Sequence, residues 1–248
     1  MLNVSYFEID IVKGCNQRCF HCSHFSPYRQ GFVPLDDIVH WFETWNEKIL
    51  PAKLQLVGGE PFLHPDFVEV LRESRRIWTE AQIGVLTNGT LIEDASPEVF
   101  DTLRETEITV WVSDHSVTSD ALVRLRDNGI RCRLFRRKAQ WRKRYLFSKT
   151  GKPVPFQSDP RKAWENCWAK RCPSLLNNKM YKCCLLASMV DAVEGGTLSS
   201  TAWKKALKHQ PLSPDADEEM MREFFQTEEV DACSLCPDRI EIIEHRQL

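Results

Sequence analysis

The sequence predicts an α/β fold: a partial, TIM-like (β/α) barrel followed by a small C-terminal domain. Three observations point there. Between Val4 and Phe135, stretches with strand alternation and stretches with helical spacing take turns, giving five β/α units in a row. The short polar and glycine-rich motifs fall just after the strands, where parallel α/β folds build their sites. Beyond about Gly151 the alternation stops, Pro and Trp become frequent, and six of the ten cysteines gather. The expected division is therefore 1–150 for the barrel-like core and 151–248 for the second domain.

The elements follow in order. "VSYFEIDIV" (Val4–Val12) alternates apolar and polar residues and reads as a strand. "LDDIVHWFETWNEKIL" spaces Leu35, Ile38, Trp41, Phe42, Trp45 and Ile49 at helical intervals. "KLQLVGGEP" is a strand entering a Gly-Gly turn, "DFVEVLRESRRIW" a helix, and "QIGVLTNGT" a strand ending in an Asn-Gly turn. "SPEVFDTLRET" is a helix opened by Ser96 and Pro97. "ITVWVSDHS" is a strand, "TSDALVRLRDNG" a helix stopped by Gly129, and "IRCRLF" the fifth strand. Strands separated by helices pair in parallel through right-handed crossovers. In the last part, helical segments are expected near "TAWKKALKH" and "EEMMREFFQ".

Bulk properties narrow the class. At 248 residues with 42% hydrophobic and 27% charged side chains, the chain is globular rather than disordered. No apolar run approaches the roughly 18 residues that cross a bilayer. "MLNVSYFEIDIVKGC" lacks a basic stretch followed by an apolar one, so a cytoplasmic location is expected. Ten cysteines in a reducing compartment point to metal ligation or redox chemistry rather than disulfides.

Three of those cysteines, Cys15, Cys19 and Cys22, crowd into "CNQRCFHC" on the loop after the first strand. Three thiolates on one loop hold three corners of a [4Fe–4S] cubane and leave the fourth iron open, whereas structural zinc closes its shell with four ligands. The Cys-x3-Cys-x2-Cys spacing, followed by "GGEP" after the second strand, resembles the radical S-adenosylmethionine (radical SAM) superfamily over roughly the first 135 residues. The resemblance implies a partial barrel of radical SAM type. It also implies S-adenosylmethionine bound at the open iron and cleaved reductively to a 5′-deoxyadenosyl radical that abstracts a substrate hydrogen. A flavodoxin- or ferredoxin-like protein would supply the electron.

Carried over by position, the resemblance makes Cys15, Cys19 and Cys22 the cluster ligands and His21 a flat ring on the adenine side. Gly58, Gly59 and Glu60 match the turn that meets the methionine amino group. Thr87 and Asn88, with Ser113 and Asp114, match strand ends that reach the methionine or ribose. Taken alone, "TNG" is a common turn and Ser113 and Asp114 suit a helix cap, so those four have an ordinary reading too.

The second cysteine set resembles the auxiliary-cluster domains called SPASM and twitch. That resemblance implies one further [4Fe–4S] cluster, two in all, on Cys172, Cys183, Cys233 and Cys236, with Cys167 or Cys184 as substitutes. Asn178 stands where the pattern has Gly, and Asn tolerates the left-handed conformation. Two cysteine pairs also suit a zinc ribbon.

Cys132 on the fifth strand, or Cys167 if unligated, is a candidate hydrogen donor to a substrate radical; quiet burial is the commoner fate of such a thiol. The basic stretch from Arg131 to Lys152, with Arg136, Arg137, Arg142 and Arg144 beside Trp141, Tyr145 and Phe147, suits substrate phosphates or nucleic acid, or a solvated face. His115 lies near the expected cavity with no assignable role. The expected reaction is oxidation or epimerisation of a small polar, sugar- or aminocyclitol-like substrate. Alternatives are an isomerase or modifying enzyme acting on a nucleotide, on nucleic acid such as phage DNA, or on a peptide, and more remotely a non-catalytic zinc-binding interaction module.

Overall fold

A computed structural model describes residues 1–113, 118–135 and 141–248. The chain divides into two compact units, one made of residues 1–16 and 31–139, the other of residues 17–30 and 140–248.

In the first unit the chain runs β1 (Leu2–Val4), β2 (Phe7–Val12), α1 (Leu35–Asn46), β3 (Ile49–Pro51), β4 (Lys53–Gly58), α2 (Phe67–Ile77), β5 (Gln82–Thr87), α3 (Pro97–Glu105), β6 (Thr109–Ser113), α4 (Thr118–Asp127) and β7 (Cys132–Phe135). Strands β2, β4, β5, β6 and β7 lie side by side in that order, every pair parallel. The protein is thus a mixed α/β fold dominated by parallel pairing. Every strand of the run therefore presents its carboxyl end, and the loop that follows it, on one edge.

Helix α1 buries Ile38, Trp41, Phe42 and Trp45, the residues whose spacing marked it. Each such burial stabilises by about 1.5–3 kcal/mol. Strand β2 is buried along its whole length, Glu8 and Asp10 included. Its alternation in sequence is thus not a sign of one wet face; Tyr6 donates a 2.8 Å hydrogen bond to Glu8.

Two boundaries differ from the sequence expectation. The strand expected over Val4–Val12 breaks at Ser5 and Tyr6, because Leu2–Val4 pairs separately with Ile49–Pro51. That pairing ends α1 early: the chain turns at Glu47–Lys48, whose carbonyl accepts the Leu2 N–H, and Pro51 sits in a two-stranded ribbon that needs no donor from it.

The second unit holds the hairpin β8 (Leu146–Phe147) and β9 (Pro153–Val154), α5 (Pro160–Glu165), the hairpin β10 (Ser174–Leu176) and β11 (Lys179–Tyr181), α6 (Cys184–Glu194), a 3-10 stretch over Thr201–Lys208, α7 (Glu218–Gln226) and a short 3-10 turn over Asp231–Leu235. Asn177 and Asn178 join β10 to β11 with φ of 50° and 55°, the double left-handed turn that matches hairpin twist. The core is built on α6 and Trp203, whose indole N–H donates to the Pro153 carbonyl. The Arg29 side chain is fully buried there, donating to Asp191 at 2.7 Å and to the Ser188 hydroxyl at 3.1 Å. Among the described residues no helix is long and apolar enough to cross a membrane.

Candidate functional site

In the first unit the site begins where β2 and β4 end. Their register slips between Asp10 and Val12, which brings Val12 opposite Gly58. Gly59 then donates to the Val12 carbonyl at 2.6 Å and Glu60 to the Gly14 carbonyl at 3.1 Å. A side chain at Gly58 or Gly59 would collide with those same carbonyls, and Gly58 has φ of 143°. The glycine pair therefore lets the turn after β4 lace onto the segment that delivers Cys15.

Glu60 faces inward with no exposed surface. Its carboxylate accepts hydrogen bonds from the Thr87 hydroxyl at 2.6 Å, the Asn88 N–H at 2.8 Å and the Phe62 N–H at 3.2 Å. Burial pushes its pKa up to about 7, and the three donors oppose that rise. Glu60 ties the end of β4 to the end of β5. Thr87 completes the tie by accepting from Gly89 N–H at 3.0 Å.

Asn88 turns toward the cysteine loop. Its Nδ2 lies 3.6 Å from Cys15 Sγ and 2.8 Å from Asn16 Oδ1, while its Oδ1 accepts from both the backbone and the hydroxyl of Thr90. Ser113 is buried at the end of β6. Asp114, His115, Arg136 and Arg137 lie outside the described residues. Cys132 is the first residue of β7, at the strand's amino end, and its thiol approaches the Leu122 carbonyl of α4 at 3.9 Å. The loops that carry the motifs leave the opposite ends of the strands, so Cys132 is placed for packing.

In the second unit, Cys19 is buried and Cys22 is half-buried, one short turn apart, with Cys22 N–H donating to the Cys19 carbonyl at 3.2 Å. Their thiols approach Gln17 Oε1 at 3.6 Å and Ser26 Oγ at 3.7 Å. Between them His21 takes φ of 57° and is only 2% exposed. Its ring packs among Phe20, Tyr145 and Phe147, its N–H donates to the Tyr145 hydroxyl at 3.0 Å, and its Nδ1 accepts the Arg144 N–H. Burial, helped by Lys143, Arg144 and Arg246, lowers its pKa to about 4, so the ring is neutral. This imidazole is enclosed by its own unit.

The C-terminal cysteines sort into two groups. Cys167, Cys183, Cys233 and Cys236 line one cavity in the second unit, together with Ala163 and Met189. Cys233 and Cys236 are brought together by the Asp231–Leu235 turn, with Cys236 N–H on the Cys233 carbonyl at 3.0 Å. Two backbone amides aim at sulfur: Ala169 N–H at Cys167 and Val230 N–H at Cys233. Burial first, and then neighbouring cysteines (Cys184 and Cys167 beside Cys183, Cys167 and Cys233 beside Cys236), raises the pKa of Cys183 and Cys236 strongly; burial also raises Cys167 and Cys233. Four thiols this close, each only partly exposed, cannot all ionise without a cation among them, so their chemistry suits a metal centre. Cys172 and Cys184 are buried and do not line this cavity, though Cys184 adjoins Cys183; the two are joined by the Cys184 N–H on the Cys172 carbonyl. Arg142 and Arg144 line a neighbouring cavity with Arg239, Cys167 and Cys236.

Asn16 and Thr90 carry no motif, and Tyr145, named only as an aromatic of the basic stretch, proves to hold the cysteine loop instead. The Asn16–Thr90, Asn16–Asn88 and His21–Tyr145 bonds each span more than 70 positions, so no local pattern signals them.

Known proteins share this architecture. A family model for the Radical SAM superfamily matches residues 9–136. A GTP 3′,8-cyclase of Microcystis aeruginosa is 25% identical over 108 residues, 41% of this chain and 32% of that protein. One from Haemophilus influenzae is 32% identical over 88 residues, 34% of this chain and 26% of that protein. The matched part thus spans about a third or less of these curated relatives. The crystal structure of BtrN in complex with AdoMet and 2-DOIA is similar in fold, with a TM-score of 0.52 and 14% identity over 82% of this chain and 85% of that one.

The chain belongs to the radical SAM superfamily, a class of enzymes that use a [4Fe–4S] cluster and S-adenosylmethionine. The donor chemistry fits those groups: soft thiols that form no disulfide, and an amide N–H aimed at the first sulfur.

Proposed function

We propose that the protein is a radical SAM enzyme with a partial barrel core and a SPASM/twitch-like second domain over 151–248, oxidising or epimerising a polar C–H bond of a small sugar- or aminocyclitol-like substrate. The observation that carries the second domain is the four-thiol cavity. It favours Cys167, Cys183, Cys233 and Cys236 as holders of a second [4Fe–4S] cluster, in place of the set that includes Cys172. Cys15, Cys19 and Cys22 would hold the first cluster. When bound, that cluster and S-adenosylmethionine supply a carbon-centred radical able to abstract hydrogen. The chain's own contribution is placement. Gly58 and Gly59 admit the close turn, Glu60 and Thr87 lock the two strand ends, and Asn88 donates toward Cys15. Gly58–Glu60 with the strand ends at Asn88, Ser113 and Asp114 would receive S-adenosylmethionine. A reducing cytoplasmic setting keeps the thiols unpaired, and a flavodoxin- or ferredoxin-like protein would deliver the electron.

A second reading, a nucleotide or nucleic-acid substrate, is favoured by Arg142, Arg144 and Arg239 around a cavity that also contains Cys167 and Cys236. The relatives named as acting on GTP agree with it in substrate class. A peptide substrate has no such observation behind it.

The deciding experiment is anaerobic reduction with S-adenosylmethionine and candidate substrates carrying deuterium. Deuterium in 5′-deoxyadenosine identifies the substrate class. Failure of the reduced, iron-loaded protein to cleave S-adenosylmethionine at all would remove the proposal. Metal analysis addresses the second site, where stoichiometric zinc in place of iron would turn it into a structural ribbon.

A further inference from the structure

The segment carrying Cys19 and Cys22 makes almost no regular secondary structure of its own. A loop of this kind leaves backbone donors to be satisfied elsewhere, and where they go decides how firmly its side chains are held. In this chain they go to the far end of the sequence. Phe20 N–H donates to the Arg246 carbonyl at 2.8 Å, and Leu248 N–H donates to the Arg18 carbonyl at 2.7 Å. These two bonds flank Cys19, which pairs with Gln247 as an antiparallel bridge. Gln247 adds a side-chain bond, its Oε1 accepting the Arg18 N–H at 3.2 Å. The Arg246 guanidinium covers the Phe20 ring at 4.2 Å, a favourable cation–π placement.

The same terminal segment is anchored independently of the loop. Ile243 N–H donates to the Trp141 carbonyl at 2.9 Å, and Lys143 N–H to the Glu241 carbonyl at 3.0 Å. Lys143 and Glu241 also pair through their side chains at 2.9 Å. Trp141 then closes the arrangement: its indole N–H donates to the Phe20 carbonyl at 2.6 Å, and its ring meets His245 edge-on at 4.6 Å. Both backbone groups of Phe20, the residue following Cys19, are therefore held from outside the loop, one by the terminal segment and one by Trp141. All of these residues belong to the second unit.

We propose that Ile243–Leu248, clipped in place by Trp141, is a positioning strap: a short added strand that fixes Cys19 for ligation of the first cluster. The proposal rests on the trithiolate reading of Cys15, Cys19 and Cys22. Arg246, Gln247 and Trp141 are its positioning residues, and none of them donates a ligand. The strap links occupancy of the first cluster to the integrity of the last residues.

The test compares the full chain with a chain lacking Arg246–Leu248 and with the milder Trp141→Phe variant, which keeps an aromatic ring and loses the donor. Hydrogen exchange of the metal-free proteins is read on peptides covering residues 17–23, and iron is counted after anaerobic reconstitution. Exchange of the Phe20 amide is expected to rise roughly five- to tenfold for each backbone hydrogen bond lost. Iron is expected to fall from about eight to about four per chain in the shortened protein, two cubanes becoming one. The paramagnetic signal that changes on adding S-adenosylmethionine should be lost with it. The global melting transition and the remaining cluster should stay as they were. Unchanged exchange over residues 17–23 in both variants overturns the strap. So does loss of the whole fold in both, because the segment would then be core rather than a positioning element. The trithiolate reading fails separately: the full chain with Cys15, Cys19 and Cys22 all changed to Ala would retain as much iron as the full chain itself.

Discussion

Asn88 Nδ2 lies 3.6 Å from Cys15 Sγ, so the turn after β5 donates a hydrogen bond to the first thiol of the cysteine loop. A donor at a ligating sulfur stabilises added negative charge, and hydrogen bonds to sulfur are one of the levers that set cluster potentials. On the proposed cluster assignment, Asn88→Ala is therefore expected to lower the reduction potential of the centre at Cys15 while leaving the proposed second one unmoved. A paramagnetic resonance titration of both centres measures this. An identical potential in the variant would mean that the amide does not reach the sulfur when the cluster is bound.

The division of the C-terminal cysteines yields a direct contrast. Cys167→Ala removes a thiol from the four-thiol cavity and is expected to bring iron down toward about four per chain. Cys172→Ala, outside that lining, should keep full iron and lose only packing. Equal iron in the two variants would contradict the ligand set.

Glu60 makes stability depend on pH. The folded state holds its proton up to about pH 7, the unfolded chain only to about 4.5. The folded form thus binds more protons between those values, so this contribution is largest below pH 4.5, is lost as pH rises through 7, and is flat above. The full span is on the order of 3 kcal/mol. Denaturation of wild type and Glu60→Gln at several pH values isolates it, because His21 and His209, both lowered to about 4, add an opposite slope common to the two proteins. A difference between the two that does not vary from pH 4.5 to 7 would rule the assignment out.

Arg29 and Asp191 form an ion pair whose arginine side chain is completely buried. Removing one partner leaves the other charge without compensation, which typically costs about 3–5 kcal/mol. Arg29→Met is expected to lower the unfolding free energy of the second unit by that much, and adding Asp191→Asn should recover part of it. Denaturant titration checks both, and a loss below about 1 kcal/mol, the value of an exposed pair, would show the site to be wetter than its burial implies.

The Asn177–Asn178 turn offers a smaller test. Both residues are left-handed, so Asn178→Gly should be neutral or slightly stabilising and Asn178→Ala should cost about 1–2 kcal/mol. A melting curve for each variant decides it, and equal midpoints would count against the turn geometry.

Much of the architecture is legible in the sequence. The helical spacing of Ile38, Trp41, Phe42 and Trp45 named the buried face of α1. The strand-then-motif order placed "GGE" and "TNG" at the ends of β4 and β5. Helix α6 was not legible, for a physical reason. Cys184 to Val190 are all buried, so no polar face interrupts them and no period of 3.6 appears. The strand over Val4–Val12 failed similarly: its pairing partner, Ile49–Pro51, lies more than 40 residues away.

What the sequence determined by itself is the chemistry: three thiols on one loop after a strand, followed by Gly58, Gly59 and Glu60, define a radical SAM chain through residue type and spacing. Which thiols meet, and which side chains hold them, only the tertiary structure decided. Cys167 rather than Cys172 joins Cys183, Cys233 and Cys236, His21 turns inward onto Tyr145, and the final residues brace Cys19. Those outcomes depend on contacts that reach across as many as 229 positions, made when buried surfaces pack and backbone donors find partners, and no local pattern encodes them.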